Sequence, residues 1–212
     1  MELELKYVPV DKSEADAIWE DERLRRYADS SSIETLLMKA VYFDTPSGKL
    51  GETSFAVRVR SEGERIFTTL KGPGTVEGGL HEREEINLPC EASCFIESPR
   101  ELFKSFEKGR EILELIGDEP LVNLLEMRFL RRRFRINYGS SIMELSIDTG
   151  KMIGDGGEIP ILELEVELFA GDSKDLLKFG EKLSAKYNLK PENRTKLARG
   201  FAVLKKEIPL IE

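Results

Sequence analysis

Glu2-Leu3-Glu4-Leu5-Lys6 near the start of the chain and Glu163-Leu164-Glu165-Val166-Glu167 near its end carry a charge on every other residue. Alternation at period two belongs to the β-strand, so the charges of each segment share one face and the aliphatic side chains the other. One such strand is ordinarily a solvated edge. Here the pattern returns with basic residues. Ala56, Arg58 and Arg60 alternate with Phe55, Val57 and Val59; Arg131, Arg133 and Arg135 oppose Leu130, Phe134 and Ile136, with Arg132 interrupting the alternation. Strands that repeat one polar face point it into a shared interior.

The intervening sequence supplies more strands. One runs from about Leu36 to Phe43 and ends in the turn Asp44-Thr45-Pro46-Ser47-Gly48. Residues 54–61 and 65–71 read as a hairpin joined by Glu62-Gly63-Glu64, followed by a glycine-rich connection from Gly72-Pro73-Gly74 to Gly78-Gly79. The next strand aligns His81, Arg83, Glu85 and Asn87, and one from Ile142 sets Glu144, Ser146 and Asp148 against Met143, Leu145 and Ile147. Helices are predicted after the caps Asp11 and Ser13, over 99–117 behind Ser98-Pro99, after Asp172 or Ser173, and over about 194–206. The expected fold is mainly β (α+β): an eight-stranded antiparallel closed β-barrel with a charged lumen, helices packed outside, and a single domain over 1–212. Small barrels usually fill their interior with apolar side chains. Buried charge of this density requires a neutralising ligand.

The chain has 212 residues, 40 acidic and 32 basic, for a net charge of −8. That balance argues against a general nucleic-acid binder, which needs excess positive charge to release counterions. There is no apolar run of membrane-spanning length, and the acidic N-terminus does not resemble a signal peptide, so a cytoplasmic location and no membrane partner are expected. Cys90 and Cys94 make no disulfide framework. His81 is the sole histidine, which leaves little basis for a zinc site or a Ser-His-Asp arrangement. A hard cation on carboxylates is the favoured metal, and the charged interior excludes a lipocalin-like carrier.

The inward candidates divide by sign. Glu2, Glu4, Asp148, Glu163, Glu165 and Glu167 are acidic; Lys6, Arg58, Arg60, Lys71, Arg83, Arg131, Arg133 and Lys196 are basic. Guanidinium forks and ammonium groups suit a polyphosphate. Carboxylates beside them suit Mg²⁺ or Mn²⁺, which bind a few carboxylates, waters and phosphate oxygens together. The combination points to phosphoryl chemistry.

Glu2-x-Glu4-x-Lys6 also resembles the EXEXK signature of the CYTH superfamily, the triphosphate tunnel metalloenzymes. Tyr42-Phe43-Asp44-Thr45, Arg58-x-Arg60, Leu70-Lys71-Gly72, Arg131-x-Arg133, Glu163-x-Glu165-x-Glu167 and Thr195-Lys196-x-x-Arg199-Gly200 follow in family order. Gly78-Gly79-Leu80-His81 looks most like the bacterial inorganic triphosphatase branch. The resemblance implies a tunnel that cleaves the terminal phosphate of tripolyphosphate or a related triphosphate. It places metal on Glu2, Glu4, Glu163, Glu165 and Glu167 with Asp148 nearby, and phosphate on Lys6, Arg58, Arg60, Arg83, Arg131, Arg133 and Lys196. A water-activating Tyr–Lys pair would fall on Tyr42 and Lys71.

Thr195 stands where the family usually has Ser, and arginine at both 131 and 133 is richer than its usual Lys/Arg mixture. The larger triphosphatases of the branch it resembles carry a second, helical domain, which is not expected in a chain of this length. Class IV adenylate cyclase, thiamine triphosphatase and a non-catalytic polyphosphate-binding module are the alternatives. His81 is expected to be structural rather than catalytic, Tyr42 either core or catalytic, and Glu144 and Arg135 rim or surface residues. The expected partner is a small polyphosphate, acting on a monomer or homodimer.

Overall fold

The computed structural model describes residues 1–97 and 100–204. β1 (Glu2–Val8) is followed by α1 (Lys12–Glu20) and α2 (Glu22–Arg25), then by β2 (Glu34–Asp44), β3 (Ala56–Glu62), β4 (Arg65–Glu77) and β5 (Leu80–Pro89). Two short helices, α3 (Arg100–Phe103) and α4 (Glu107–Ile116), lead into a meander of β6 (Val122–Tyr138), β7 (Ser141–Gly154) and β8 (Gly157–Ala170). The chain continues through α5 (Ser173–Tyr187), a two-residue β9 (Lys190–Pro191) and α6 (Lys196–Gly200).

All strand pairings are antiparallel, in the order β5-β4-β3-β2-β6-β7-β8-β1, and β1 pairs back onto β5 to close an eight-stranded barrel. Closure removes the free edges an open sheet would expose. β1 thus lies between β5 and β8, with Glu4 opposite both His81 and Glu167, and Lys6 opposite Glu165. The two acidic segments from opposite ends of the chain become adjacent staves.

Alternation sends the aliphatic positions outward, under the helices. Leu5, Phe134, Leu145, Ile147, Leu164 and Val166 pack beneath Ile18 and Trp19 of α1 and Leu176, Phe179 and Leu183 of α5. Val41, Phe43, Val57, Val59 and Leu70 pack beneath Phe103, Ile112 and Ile116. Side chains of this kind contribute about 1.5–3 kcal/mol each when fully buried. Arg132, the break in the β6 alternation, faces the same outer layer. Its Nη2 donates to Asp16 at 2.7 Å, and its guanidinium lies 5.3 Å from the Trp19 ring centroid. Asp11, Asp172 and Thr195 cap α1, α5 and α6 by accepting from the backbone N–H of Glu14, Lys174 and Ala198. Where α5 crosses β1, a Cβ on Gly180 would come within 2.3 Å of Leu5 and 2.6 Å of the Tyr7 hydroxyl, so the contact requires glycine.

Several expectations change. The glycine-rich connection after Lys71 is part of β4: a bulge between Lys71 and Gly74 lets the strand run on to Glu77, and the turn is confined to Gly78-Gly79. The helix expected over 99–117 is two helices. Gly109 packs against the backbone of Phe103, where a Cβ would sit 2.2 Å from its carbonyl oxygen, so the chain must fold back between them. The cap assigned to Ser98-Pro99 lies outside the described residues. The last helix is shorter than expected; α6 ends at Gly200 and gives way to a 3-10 turn over Phe201–Val203, and the end assigned to it near 206 lies outside the described residues. The lumen is not charged throughout. Ala40, Tyr42, Met127 and Phe129 line it and belong to a third apolar cluster with Met152, Ile161 and Val203.

Candidate active site

The barrel encloses a cavity of about 310 Å³. Of the sequence-selected residues, Glu2, Glu4, Lys6, Tyr42, Arg58, Arg60, Lys71, Arg83, Arg131, Arg133, Glu165, Glu167 and Lys196 line it. Asp148 and Glu163 lie just behind the wall, fully buried and ion-paired to residues that do. Each strand contributes through its inward parity: β1 the first carboxylates, β3 and β6 the arginines, β8 the second carboxylates. Thr195 caps α6 so that Lys196, the first residue of the helix, enters the cavity.

At one end lies a knot of opposite charges. Glu165 accepts from Lys6 at 2.6 Å, from Lys196 at 2.7 Å and from Arg131 at 2.6 Å. Arg131 also makes a bidentate pair with Asp148 through Nε and Nη2, both at 2.7 Å. Lys196 reaches Glu163 at 2.8 Å, and Arg199 closes on the other oxygen of Glu163. Burial pushes the Glu165 carboxyl up, but Lys196, Lys6 and Arg131 together hold it well below the ordinary range. Burial likewise opposes ionisation of Asp148, and Arg131 with Lys196 overcomes it.

A second group sits against β4 and β5. Lys71 is held between Glu2, at 3.0 Å, and Glu85. Arg58 lies 3.7 Å from Glu85 and stacks 5.9 Å from the centroid of Tyr42. Tyr42 is buried, which by itself disfavours the phenolate. Arg58, Lys71 and Lys196 outweigh that and bring its pKa below the ordinary tyrosine value.

Two groups are crowded by like charges, although Arg60 also pairs with Glu62 at 2.5 Å. Arg60 is held below its usual pKa by burial and then by the neighbouring Arg58 and Arg131, against the pull of Glu62. The Nε atoms of Arg58 and Arg60 are buried with no hydrogen-bond partner among the described residues. On the opposite wall, burial followed by the charges of Glu2, Glu4, Glu85 and Glu144 pushes Glu167 up to about 8. Among the described residues no three acidic, histidine or cysteine side chains converge closely enough to hold a metal ion as they stand. The donor set nevertheless fits a hard cation. Glu167 is a half-buried carboxylate lining the cavity, and Mg²⁺ is usually held by one or two carboxylates completed by substrate phosphates rather than by a full protein cage.

Sequence reasoning missed Glu85, Glu62, Glu144 and Arg199. Glu62 and Glu144 line the cavity, and Arg133 lies 3.8 Å from the first and 3.5 Å from the second. Glu144, expected at a rim or on the surface, is 8% exposed. Glu85 and Glu144 already stand in the inward rows of Arg83 and Asp148, and Glu62 extends that of Arg60 by one step, so the alternation itself held the signal. Arg199 lies within a motif already recognised. His81, expected to be structural, is 1% exposed and also lines the cavity. Its Nε2 lies 2.8 Å from the Glu192 carbonyl oxygen, and burial, aided by Lys6 and Arg83, lowers its pKa.

The profile of the CYTH domain matches residues 1–201. The chain belongs to the CYTH domain family. A curated relative, the inorganic triphosphatase of Haemophilus influenzae, is 29% identical over 174 residues, 82% of this chain and 48% of that protein. This CYTH chain therefore spans about half the length of the curated relative it matches. Among solved structures, a candidate adenylyl cyclase from Hippeastrum, described as revealing a dominant triphosphatase activity, superposes with a TM-score of 0.71 at 19% identity, covering 100% of this chain and 99% of that one. A candidate adenylate cyclase from Bacillus halodurans gives a TM-score of 0.62 at 20% identity, covering 95% and 97%. At these identities the structures establish a shared fold. No described helix is long and apolar enough to cross a membrane.

Proposed function

We propose that this CYTH barrel hydrolyses the terminal phosphoanhydride of inorganic tripolyphosphate or a related triphosphate, with Mg²⁺ or Mn²⁺ bound. The observation that carries the reading is the convergence of Arg58, Arg60, Arg131 and Arg133 with Glu2, Glu4 and Glu167 on one cavity, where the Nε atoms of Arg58 and Arg60 have no hydrogen-bond partner among the described residues. A polyanion suits the guanidinium groups, and a hard cation suits the carboxylates. The inorganic triphosphatase relative supports the choice of substrate.

Arg58, Arg60, Arg83, Arg131 and Arg133 grip phosphate oxygens, with Lys6 and Lys196 turning from their carboxylates toward the chain of phosphates. Glu2, Glu4 and Glu167 would hold the cation, and Asp148, Glu163 and Glu165 would supply further carboxylate charge once the lysines turn away. The cation would neutralise charge on the phosphates. Arg58, Lys71 and Lys196 favour ionisation of Tyr42, and the phenolate, balanced by Lys71, takes the proton of the attacking water and becomes the neutral phenol. Glu2 and Glu85 hold the Lys71 ammonium in place. We further read residues 1–212 as one domain acting on a small soluble anion in the cytoplasm, as a monomer or homodimer.

The test is to incubate the protein with Mg²⁺ or Mn²⁺ and, separately, tripolyphosphate, ATP and thiamine triphosphate, measuring phosphate, pyrophosphate and cyclic AMP. Phosphate and pyrophosphate from tripolyphosphate is the expected outcome. Cyclic AMP with pyrophosphate from ATP would instead establish a cyclase, and binding without any product a polyphosphate-binding module.

A further inference from the structure

His81 lies on the inward face of β5, directly opposite Glu4 in the β1–β5 ladder. Its two ring nitrogens have unequal surroundings. Nε2 lies 2.8 Å from the backbone oxygen of Glu192. A carbonyl oxygen only accepts, so Nε2 carries the hydrogen and donates it, which leaves Nδ1 of the neutral ring as a bare acceptor. Nδ1 is buried and has no hydrogen-bond partner among the described residues. An acceptor left unpaired in a folded interior is disfavoured, and this one belongs to a side chain lining the cavity.

The Nε2 side of the ring has a definite role. Glu192 belongs to a strap that begins at β9 and is tied down on several sides. The Glu192 N–H donates to the Lys6 carbonyl at 3.0 Å, and the Asn193 side chain accepts from the Gly79 N–H at 2.7 Å. Gly79 adopts a φ of +85°, where a Cβ would press on the Lys6 carbonyl and Pro191. Three residues beyond Asn193 the strap delivers Lys196 into the cavity. His81 is therefore one of the fixings that set where Lys196 enters.

The Nδ1 side is left to a donor within the cavity. Glu4, opposite it, is an acceptor when ionised, and tripolyphosphate is an acceptor throughout. Lys6 and Arg83, the cations that bear on the ring, are committed to the phosphates in the loaded site, so water is the donor that remains. We propose that His81 is a two-sided positioning residue: Nε2–H fixes the Glu192 strap and thereby Lys196, while Nδ1 accepts a hydrogen bond from a water held between His81 and Glu4 in the loaded site. The inference rests on the triphosphatase reading. It assigns a direct role in the loaded site to the only histidine in the chain, and its two halves separate experimentally.

Because there is one histidine, ¹⁵N-edited NMR reports its tautomer without assignment. In the free protein the expected signature is a protonated Nε2 and a bare Nδ1. On saturation with Mg²⁺ and an imido analogue of tripolyphosphate, the Nδ1 resonance should move in the direction of hydrogen-bond acceptance. His81→Gln keeps an amide donor near the Nε2 position and removes the Nδ1 acceptor; kcat should fall about tenfold with KM within about twofold of wild type. His81→Asn keeps a polar atom near Nδ1 and loses the strap bond, so KM should rise with the smaller change in kcat. A protonated Nδ1 in the free protein, an Nδ1 resonance unmoved by the analogue, or a wild-type kcat in His81→Gln overturns the proposal. If the wild-type protein hydrolyses tripolyphosphate while any of these holds, the histidine assignment fails and the triphosphatase reading stands. Absence of hydrolysis by the wild type removes the reading itself.

Discussion

Glu4 and Glu167 stand directly opposite one another in the β1–β8 ladder, two carboxylates brought into register from the two ends of the chain. Like charges at opposed positions destabilise a sheet, and here the cost falls on Glu167, pushed up to about 8 by burial, Glu2 and Glu4. A carboxyl whose folded pKa lies above its unfolded value binds its proton more tightly in the folded state. Its contribution therefore favours folding at low pH and is lost as pH rises. The metal-free protein should lose stability between about pH 4.5 and 8 through this group. Glu167→Gln should flatten that slope and melt higher than wild type at pH 8. Thermal melts across the range decide it; parallel slopes in the two proteins would show that Glu167 is not the source.

Tyr42 and Lys71 should separate chemistry from folding. Tyr42→Phe removes a proton acceptor while keeping the ring beneath Arg58, and kcat on tripolyphosphate should fall on the order of 10²-fold with little change in melting temperature. Lys71→Ala should abolish turnover in a folded protein, although it leaves Glu2 and Glu85 without their shared cation. Wild-type rates in both variants would remove the pair from the mechanism.

The Arg131–Asp148 bidentate pair predicts an asymmetry. Asp148→Asn leaves Arg131 and Lys196 short of a buried counter-charge and should cost about 3–5 kcal/mol in urea unfolding. The double variant Arg131→Met/Asp148→Leu removes both charges and should recover part of that loss while losing substrate grip. A double variant less stable than Asp148→Asn would contradict this account.

Gly180→Ala tests the seating of α5 on β1. The added methyl meets Leu5 and the Tyr7 hydroxyl, and overpacking of this kind costs about 1–3 kcal/mol. Since Leu5 lies between Glu4 and Lys6, KM for tripolyphosphate should rise alongside the lower melting temperature. A lower melting temperature with unchanged KM would show that the helix supports the barrel without tuning its lumen.

Much of this arrangement is legible in the sequence because strand parity is so regular. Glu2, Glu4 and Lys6, like Arg58 and Arg60, have only one face to share, and a polar face repeated around many strands has few places to go but inward. Parity does not give register, however. That Lys6 meets Glu165, and Glu4 meets Glu167, depends on a stagger that a shift of one residue would reverse. Nor does it weigh neutral members of an inward row. Met127 and Phe129 share the parity of Arg131, yet the arginines dominated the reading and the apolar part of the lumen was missed. The break between α3 and α4 depends on Gly109 meeting Phe103, a tertiary contact that helical periodicity cannot register.

The closure of the barrel by its first and eighth staves also bears on synthesis. At roughly 5–20 residues per second, Glu167 is added some 10–30 s after Glu4, and Lys196 later still. In that interval the N-terminal strand exists without half of its charged neighbours, and no partial chain holds both walls of the site. Activity is thus a property of the finished ring, and a ribosome that stalls within β8 leaves a chain with its arginines in place and no cation to pair with the phosphates they would attract.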